Sequence, residues 1–447
     1  MKNMTTGSIS RHLLSFAVPM VLGNLLQLTY NAVDSMIIGK CLGENALAAV
    51  STSAPIITIV VLGVSGLSIG VSVIMSRFFG EGNLERTRRE FSTGMTMGLV
   101  FSLAVFLLGM LFSRQMLTLI QSPEEILADA EAYLRFMFLG FLFTFQYNLH
   151  SAALRALGES AAPVRFLGIS CVLNILLDVL FVMFLHLGVR GAALATVISE
   201  AFSVLLCALH IRRHLPFLRL RSGDLIPDRK LLGETLQLGS LTALQQAAQP
   251  VGKLLIQSFI NLQGITAIGA FNAVSRLDDF ARIPTQSIGS AIMTCTAQNR
   301  GARSPERCRL TLRQGLIIAC LYAPLIFSVV QLLKRPAVSL LIPDGHTQML
   351  ESGVAYLTVK AWFFIHPCIT NAIQGFFRGM GNMTLVLICT LIQITLRTLF
   401  SAWLIPVMGI TGEAYACMIG WTVMMIVEFT VYFRTRRRMY AQMVRQS

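Results

Sequence analysis

The sequence predicts an all-α polytopic membrane protein, about twelve transmembrane helices in two pseudo-symmetric six-helix lobes. Three observations predict it. The 447 residues are 54% hydrophobic and only 13% charged, which no soluble globular domain matches. Apolar runs of about 18–25 residues, each long enough to cross a bilayer, recur about twelve times. And the second half of the chain repeats motifs of the first.

In order, the apolar runs of the first half lie at 13–38, 50–76, 93–112, 133–153, 164–185 and 191–210. Those of the second half lie at 238–260, 266–297, 311–333, 354–377, 383–404 and 411–433. Each is expected to be a helix, because lipid offers a backbone no other open structure in which its polar groups are satisfied. The first run is too long for a signal-peptide core and lacks a small-residue cleavage site, so it is expected to remain as a helix.

Lys and Arg set the orientation: about 25 lie in loops on one side and about six on the other. Arg86, Arg88 and Arg89, Arg212 and Arg213, Arg303 and Arg307, and the tail Arg434 to Arg438 mark the basic side. Both termini are therefore expected in the cytoplasm of a cell whose inner membrane holds the protein. The 113–132 loop, with Glu124, Glu125, Asp129 and Glu131, is expected outside. The longest polar stretch, 211–237, contains Pro216, Gly223 and Pro227 and divides the chain. This gives an N-lobe at 1–210, a cytoplasmic linker at 211–237 and a C-lobe with a basic tail at 238–447.

The repeat is read at nearly constant offset. Gly80, Glu85 and Arg86 superpose on Gly301, Glu306 and Arg307, and Gly43 on Gly264. Asn148…Arg155-Ala-Leu-Gly158 matches Asn371…Arg378-Gly-Met-Gly381, and Gly188…Gly191-Ala matches Gly409…Gly412-Glu. An even number of spans keeps both copies in one orientation, a parallel repeat of the kind from which alternating-access machines are built.

The net charge of +14 is spread over short loops between apolar runs, which is a topology signal and not a nucleic-acid surface. The nine cysteines include no CxxC pair and no Cys/His cluster, so they read as small apolar residues. No HExxH, GxSxG or GxxxxGK[ST] motif is present, and no cofactor is called for. Gly66-xxx-Gly70 and Gly375-xxx-Gly379 read as small-residue packing seams, and a monomer is expected to suffice.

The informative run is the first. It carries Gln27, Tyr30, Asn31 and Asp34, which share one helical stripe. A mid-bilayer aspartate costs about 2.5–3.5 kcal/mol on insertion scales, so it needs a partner, a proton, an ion or a wet cavity. The fifth run places Ser170, Asn174 and Asp178 on one face, and the sixth places Thr196, Ser199, Glu200 and Ser203 on another. With a rise of about 1.5 Å per residue, Asp34, Asp178 and Thr196 fall in one layer. Arg135 and Arg165 stand at the loop ends of their runs, and no Lys or Arg lies in the interior of the runs of the first half to pair with these acids. Two routes to neutrality remain. One is protonation, favoured for clustered buried carboxyls. The other is a sodium ion held by the hard oxygens of Asp34, Asp178, Asn174 and Thr196. Glu200 is a possible additional acid.

The second half lacks this acid pair: Asp34 maps onto Leu255, and Asp178 near Ser401. It carries Lys253, Lys360 and Arg397 instead, which either snorkel to the surface or line a cavity. Arg276, Asp278, Asp279 and Arg282 are spaced to pair with one another along one helix.

Pro19, the stripe Gln27, Tyr30, Asn31 and Asp34, then Gly39…Gly43, Gly80 and Gly82, Asn174-Ile-Leu-Leu-Asp178 and Gly188…Gly191-Ala-Ala…Thr196 together resemble the multidrug and toxic compound extrusion (MATE) family, most closely its DNA-damage-inducible branch. The resemblance spans the whole chain. It implies a V-shaped pair of six-helix lobes that exports amphipathic, usually cationic, compounds against inward proton or sodium flow. It assigns Asp34, Asn174, Asp178 and Thr196 to the ion site, Pro19 to a bend in the first helix, and Gln27, Tyr30 and Asn148 to the substrate cavity. Asn31 shares their stripe, and Lys253 is the candidate from the C-lobe. Glu200 departs from the family pattern, as does the missing acidic counterpart in the C-lobe. The resulting expectation is an antiporter, not an enzyme, whose partners are a small amphipathic substrate and the bilayer, with no nucleic acid. The alternatives are a flippase for lipid-linked precursors, kept open by Lys253, Lys360 and Arg397, and, remotely, an intramembrane aspartyl enzyme built on the Asp pair.

Overall fold

The computed structural model describes residues 2–220, 224, 226–343 and 345–445; Arg221 and Gly223 of the linker lie outside the described residues. Regular structure among the described residues is helical. In chain order the helices are α1 (Ile9–Leu42), α2 (Glu44–Gly80), α3 (Leu84–Leu119), α4 (Glu124–Ala156), α5 (Ala161–Asp178), α6 (Gly188–His214), α7 (Arg229–Asn261), α8 (Ile265–Gly301), α9 (Pro305–Ser339), α10 (Thr347–Trp362), α11 (Ile365–Gly379), α12 (Met383–Met408) and α13 (Thr411–Arg445). A π-helical turn, Val179–Phe184, continues α5.

Each apolar run of the sequence lies in a helix that extends beyond it, and two runs are interrupted. The run at 354–377 breaks between α10 and α11. Pro367 has no N–H for the carbonyl of Phe363, and the chain turns there through shorter bonds, Phe363 N–H to Lys360 O at 3.0 Å and His366 N–H to Phe363 O at 3.1 Å. The run at 164–185 widens into the π-turn directly after Asp178. By length and composition alone, eight helices among the described residues are apolar enough to cross a membrane. The spans that fall short are α4, α7, α8 and the pair α10–α11. Helix α8 carries five charged residues, four of them within Arg276–Arg282, and α10 and α11 are individually short. The fold is the expected one of twelve spans in two lobes.

The repeat is visible in the backbone. Gly43 and Gly264 cap α2 and α8 at φ 86° and 89°. Gly158 and Gly381 share φ 76° and 77°, and Gly188 and Gly409 share φ 60° and 62°. In each pair only glycine takes the left-handed conformation without strain, so the duplication keeps it at both places. Between Gly158/Gly381 and Gly188/Gly409 the first repeat gains residues on the second, and that interval contains the π-turn. A π-turn is the usual result of inserting a residue into a helix.

The chain forms two compact units. Unit 1 is Met1–Asn3 with Pro19–Ala243, and unit 2 is Met4–Val18 with Leu244–Ser447. Unit 1 holds most of α1, helices α2 to α6 and the first part of α7. Its core runs through Val71, Met75, Phe91, Phe145, Leu149 and Leu154. Gly66 and Gly70 let α7 approach closely: a Cβ on Gly66 would lie 2.5 Å from the Ala243 nitrogen, and one on Gly70 would lie 2.9 Å from the Gly239 nitrogen. Polar links hold the same helix further on, with Arg77 on Glu234 at 2.6 Å and the Thr235 hydroxyl donating to buried Glu90 at 2.7 Å. Unit 2 is built around Ile256, Phe271, Val274, Tyr356, Phe364 and Ile405. Gly375 packs there on Gly289, where a Cβ would meet the Gly289 carbonyl oxygen at 2.3 Å. Both small-residue seams are thus occupied within a single chain.

Candidate functional site

Three helices of unit 1 bring the acids of the first half together. Asp34 comes from α1 and Asp178 from the last turn of α5, while Thr196 and Glu200 stand one turn apart on α6. Asp34 and Asp178 are in side-chain hydrogen-bonding contact. Asp178 is completely buried, and Asn174, one turn earlier, is 1% exposed. Oriented by its partners, the Asn174 amide donates to Asp178 Oδ2 at 2.8 Å and accepts from the Thr196 backbone N–H at 3.2 Å. Tyr30, one turn before Asp34, hydrogen-bonds the Thr196 side chain, whose own hydroxyl donates to the Ala192 carbonyl at 3.2 Å. Ile38, Tyr133, Val182, Val189 and Ala193 form an apolar floor under the group.

One oxygen of each aspartate, Asp34 Oδ1 and Asp178 Oδ1, is buried with no hydrogen-bond partner among the described residues. A neutral buried acceptor left in this state costs about 1–3 kcal/mol, and a charged one more. The ion pairs of unit 1 lie elsewhere, as in Arg77–Glu234, Arg88–Asp224 and Arg135–Glu131. Among the described residues no cation is paired with either aspartate. Two carboxyl groups in contact need a shared proton or an intervening cation, and this site contains neither as a fixture of the chain.

The layer predicted from helical rise, Asp34, Asp178 and Thr196, is therefore a contiguous site with Asn174 and Tyr30. Glu200 is half-buried and accepts from Thr144 Oγ1 at 2.5 Å. Asn148 donates to the Thr144 carbonyl at 2.8 Å, so the two are one residue apart through Thr144. Ser203 donates to Ser170 at 2.6 Å, joining α6 to α5 one further turn away. Gln27 and Asn31 bond only weakly to each other, at 3.4 Å, and Asn31 is exposed. Pro19 lies inside α1, which continues through it, at the point where the chain passes from unit 2 to unit 1. Thr144 and Tyr133 are neighbours of this site that the sequence did not single out. Both stand on α4, where an isolated polar residue in an apolar run was the available signal.

Unit 2 presents the opposite arrangement. Glu413, at the start of α13, is 0% exposed. Arg397 Nε donates to its Oε1 at 2.9 Å, and the Tyr356 hydroxyl donates to its other oxygen. Lys360 Nζ lies 3.7 Å from Glu413, 3.4 Å from Asp278 and 3.0 Å from the Tyr356 hydroxyl. Of the expected pairing of Arg276, Asp278, Asp279 and Arg282 along α8, Arg282 acts on Asp278 at longer range, and no close ion pair forms within the helix among the described residues. The acids reach across to other helices, Asp278 to Lys360 and Asp279 to Lys253 at 2.9 Å. Each lysine comes from a neighbouring helix and meets its acid head-on, whereas same-helix pairing would leave both lysines uncompensated in an apolar layer. Lys253, the C-lobe cavity candidate, is thus half-exposed and already matched in charge.

The repeat shows what the two arrangements share. At the offset that places Asn148 on Asn371, Tyr133 falls on Tyr356, Met137 on Lys360 and Asn174 on Arg397. At the offset that places Gly188 on Gly409, Ala192 falls on Glu413 and Thr196 on Cys417. The ionic cluster of unit 2 therefore occupies the position in its repeat that the aspartate site occupies in unit 1, with its counter-charges built in. Glu413 was the residue the sequence reading passed over. A carboxylate where the first repeat has the methyl group of Ala192 was the signal.

Comparison with known proteins follows the same division. The MatE family profile matches twice, over residues 19–180 and 242–403. The chain is 30% identical over 409 residues to the probable multidrug resistance protein YpnP of Bacillus subtilis, covering 90% of this chain and 91% of that one. It is 24% identical over 402 residues to the FAD transporter of Shewanella oneidensis, covering 88% of each. Among solved structures, an outward-facing multidrug resistance MATE family transporter of the MOP superfamily superposes with a TM-score of 0.91 at 20% identity, over 100% of this chain and 99% of that one.

Proposed function

Because the chain belongs to the MATE family of multidrug efflux transporters, we propose that it is a secondary antiporter exporting amphipathic, cationic small molecules in exchange for protons or sodium ions, by alternating access of its two lobes. The observation that carries this reading is the Asp34–Asp178 contact, with two buried oxygens unsatisfied and no resident cation. A site of that kind must be neutralised by something that enters and leaves. With an ion bound, Asp34 holds α1 against α5. With the ion gone, two adjacent negative charges repel, and α1 loses the contact that fixes it.

The direct contact of Asp34 with Asp178 favours the proton: two carboxyl groups in hydrogen-bonding contact can share one proton between them, whereas a sodium ion would have to stand between their oxygens. Tyr30, Gln27, Asn31 and Asn148 are the cavity-lining residues we assign to substrate. The bases of unit 2 do not oppose a cationic substrate, since Lys253, Lys360 and Arg397 each face an acid of the chain. The same pairing removes the support for a flippase, whose pyrophosphate cargo would need those bases free. The likeness to the DNA-damage-inducible branch rests on Asp34, Asn174, Asp178 and Thr196 in their places. We place the protein in the inner membrane with both termini in the cytoplasm, from the distribution of Lys and Arg, and as a monomer.

The test is transport of a fluorescent organic cation into inverted vesicles, the direction equivalent to export from the cell, driven by a proton gradient with the lumen acid, with and without sodium. Export that runs in the absence of sodium supports the proton. Export that stops when sodium is withdrawn assigns the site to sodium. Export that ignores both gradients removes the antiport reading.

A further inference from the structure

In unit 2, α9 and α13 enclose a groove of about 660 Å³. Arg309 and Arg313, one turn apart near the start of α9, stand at one end of it with Arg436 of α13. Leu316, Leu321 and Phe433 line it further along. From Arg309 to Leu321 the groove runs roughly 18 Å along the helix, from guanidinium to wholly aliphatic lining. Arg436 stacks over Phe433 at 5.2 Å, and none of the three arginines has an acidic partner among the described residues. The nearest groups of α13 facing Arg309 are the phenols Tyr432 and Tyr440, which bond to each other at 3.3 Å.

We propose that this groove is a binding site for an anionic phospholipid, best matched by one with two phosphates, diphosphatidylglycerol. The polarity gradient is that of a phospholipid and not of a soluble anion. Three unpaired guanidinium groups meet phosphate at the end where the chain leaves the membrane, and the apolar length beneath them takes an acyl chain. A free phosphate compound would use the arginines and leave the floor empty. The site is separate from the aspartate site of unit 1 and does not depend on the transport reading.

The test is native mass spectrometry of the full chain, released from detergent after addition of diphosphatidylglycerol or, separately, phosphatidylcholine. The expected result is retention of diphosphatidylglycerol over phosphatidylcholine. Arg309→Gln, Arg313→Gln and Arg436→Gln together should reduce retention about fivefold per charge removed. Arg434→Gln, Arg437→Gln and Arg438→Gln, which remove equal charge from the tail outside the groove, should leave it unchanged. Leu316→Trp keeps every charge but fills the apolar floor, and must lower retention as well; it reports on the site should the triple arginine variant fail to fold. Equal retention of both lipids, equal loss in the tail variant, full retention in Leu316→Trp, or displacement of the lipid by inorganic phosphate would each overturn the proposal.

Discussion

At the scale of single residues the two equivalent positions of the repeat handle buried charge in opposite ways. Asp34 and Asp178 keep unsatisfied oxygens, whereas Glu413 has every oxygen engaged by Arg397, Tyr356 and Lys360. The consequences of mutation differ accordingly. Asp34→Asn and Asp178→Asn remove the variable charge and keep the shape, so export should fall at least tenfold, by about 1.4 kcal/mol or more per site, while the protein stays inserted and monodisperse. Glu413→Gln leaves Arg397 and Lys360 short of a counter-charge in the interior and should destabilise unit 2 by about 3–5 kcal/mol, read as a lowered unfolding midpoint in detergent. Glu200→Gln tests the additional acid: it keeps the Thr144 hydrogen bond, so stability should hold while the number of protons moved per substrate falls if Glu200 carries one. Asp34 was legible in the sequence because a carboxylate inside an apolar run, with no basic residue in the interior of the neighbouring runs, has to be neutralised from elsewhere. The partners of Asp278 were not, because same-helix spacing supplied a nearer and wrong answer, and Lys360 lies on a different helix.

At the scale of the elements, close packing is set by glycine and interruptions by proline. Gly66→Val puts a side chain into the backbone of α7 at Ala243, and should cost about 1–3 kcal/mol of overpacking without touching the aspartates. Circular dichroism would keep its helix content while the unfolding midpoint drops; an unchanged midpoint would show that α2 and α7 do not meet there. Pro367→Ala restores the N–H missing at the α10–α11 break, and should allow one longer helix next to Lys360. The number and order of the helices followed from apolar run length, because a bilayer imposes that length on any spanning element. The π-turn after Asp178 and the break at Phe363 were not legible as such. Both depend on how a helix packs against its neighbours, and a run of apolar residues reads the same whether or not it is continuous. Pro367 marked the second place; nothing local marked the first.

At the scale of the whole molecule, duplication supplied two equivalent positions and the sequence then diverged at one of them. Tyr133 and Tyr356 survive in both halves, while Asn174, Ala192 and Met137 of the first repeat correspond in sequence to Arg397, Glu413 and Lys360 of the second. Of these two equivalent positions an exchangeable ion can occupy only the one whose charge is not already balanced, so coupling through this layer should reside in unit 1. The repeat was visible from its glycines, whose positive φ the backbone keeps in pairs, but the meaning of the divergence needed the side-chain contacts. The most direct measurement is proton movement out of acid-loaded proteoliposomes of the purified protein on addition of an organic cation outside. The account predicts a substrate-dependent proton flux that is lost in Asp34→Asn and in Asp178→Asn and persists in a folded variant lacking the whole unit 2 cluster, Glu413→Leu with Arg397→Met, Lys360→Met and Asp278→Asn. A flux that survives both aspartate changes, or that vanishes only with the cluster, would contradict it.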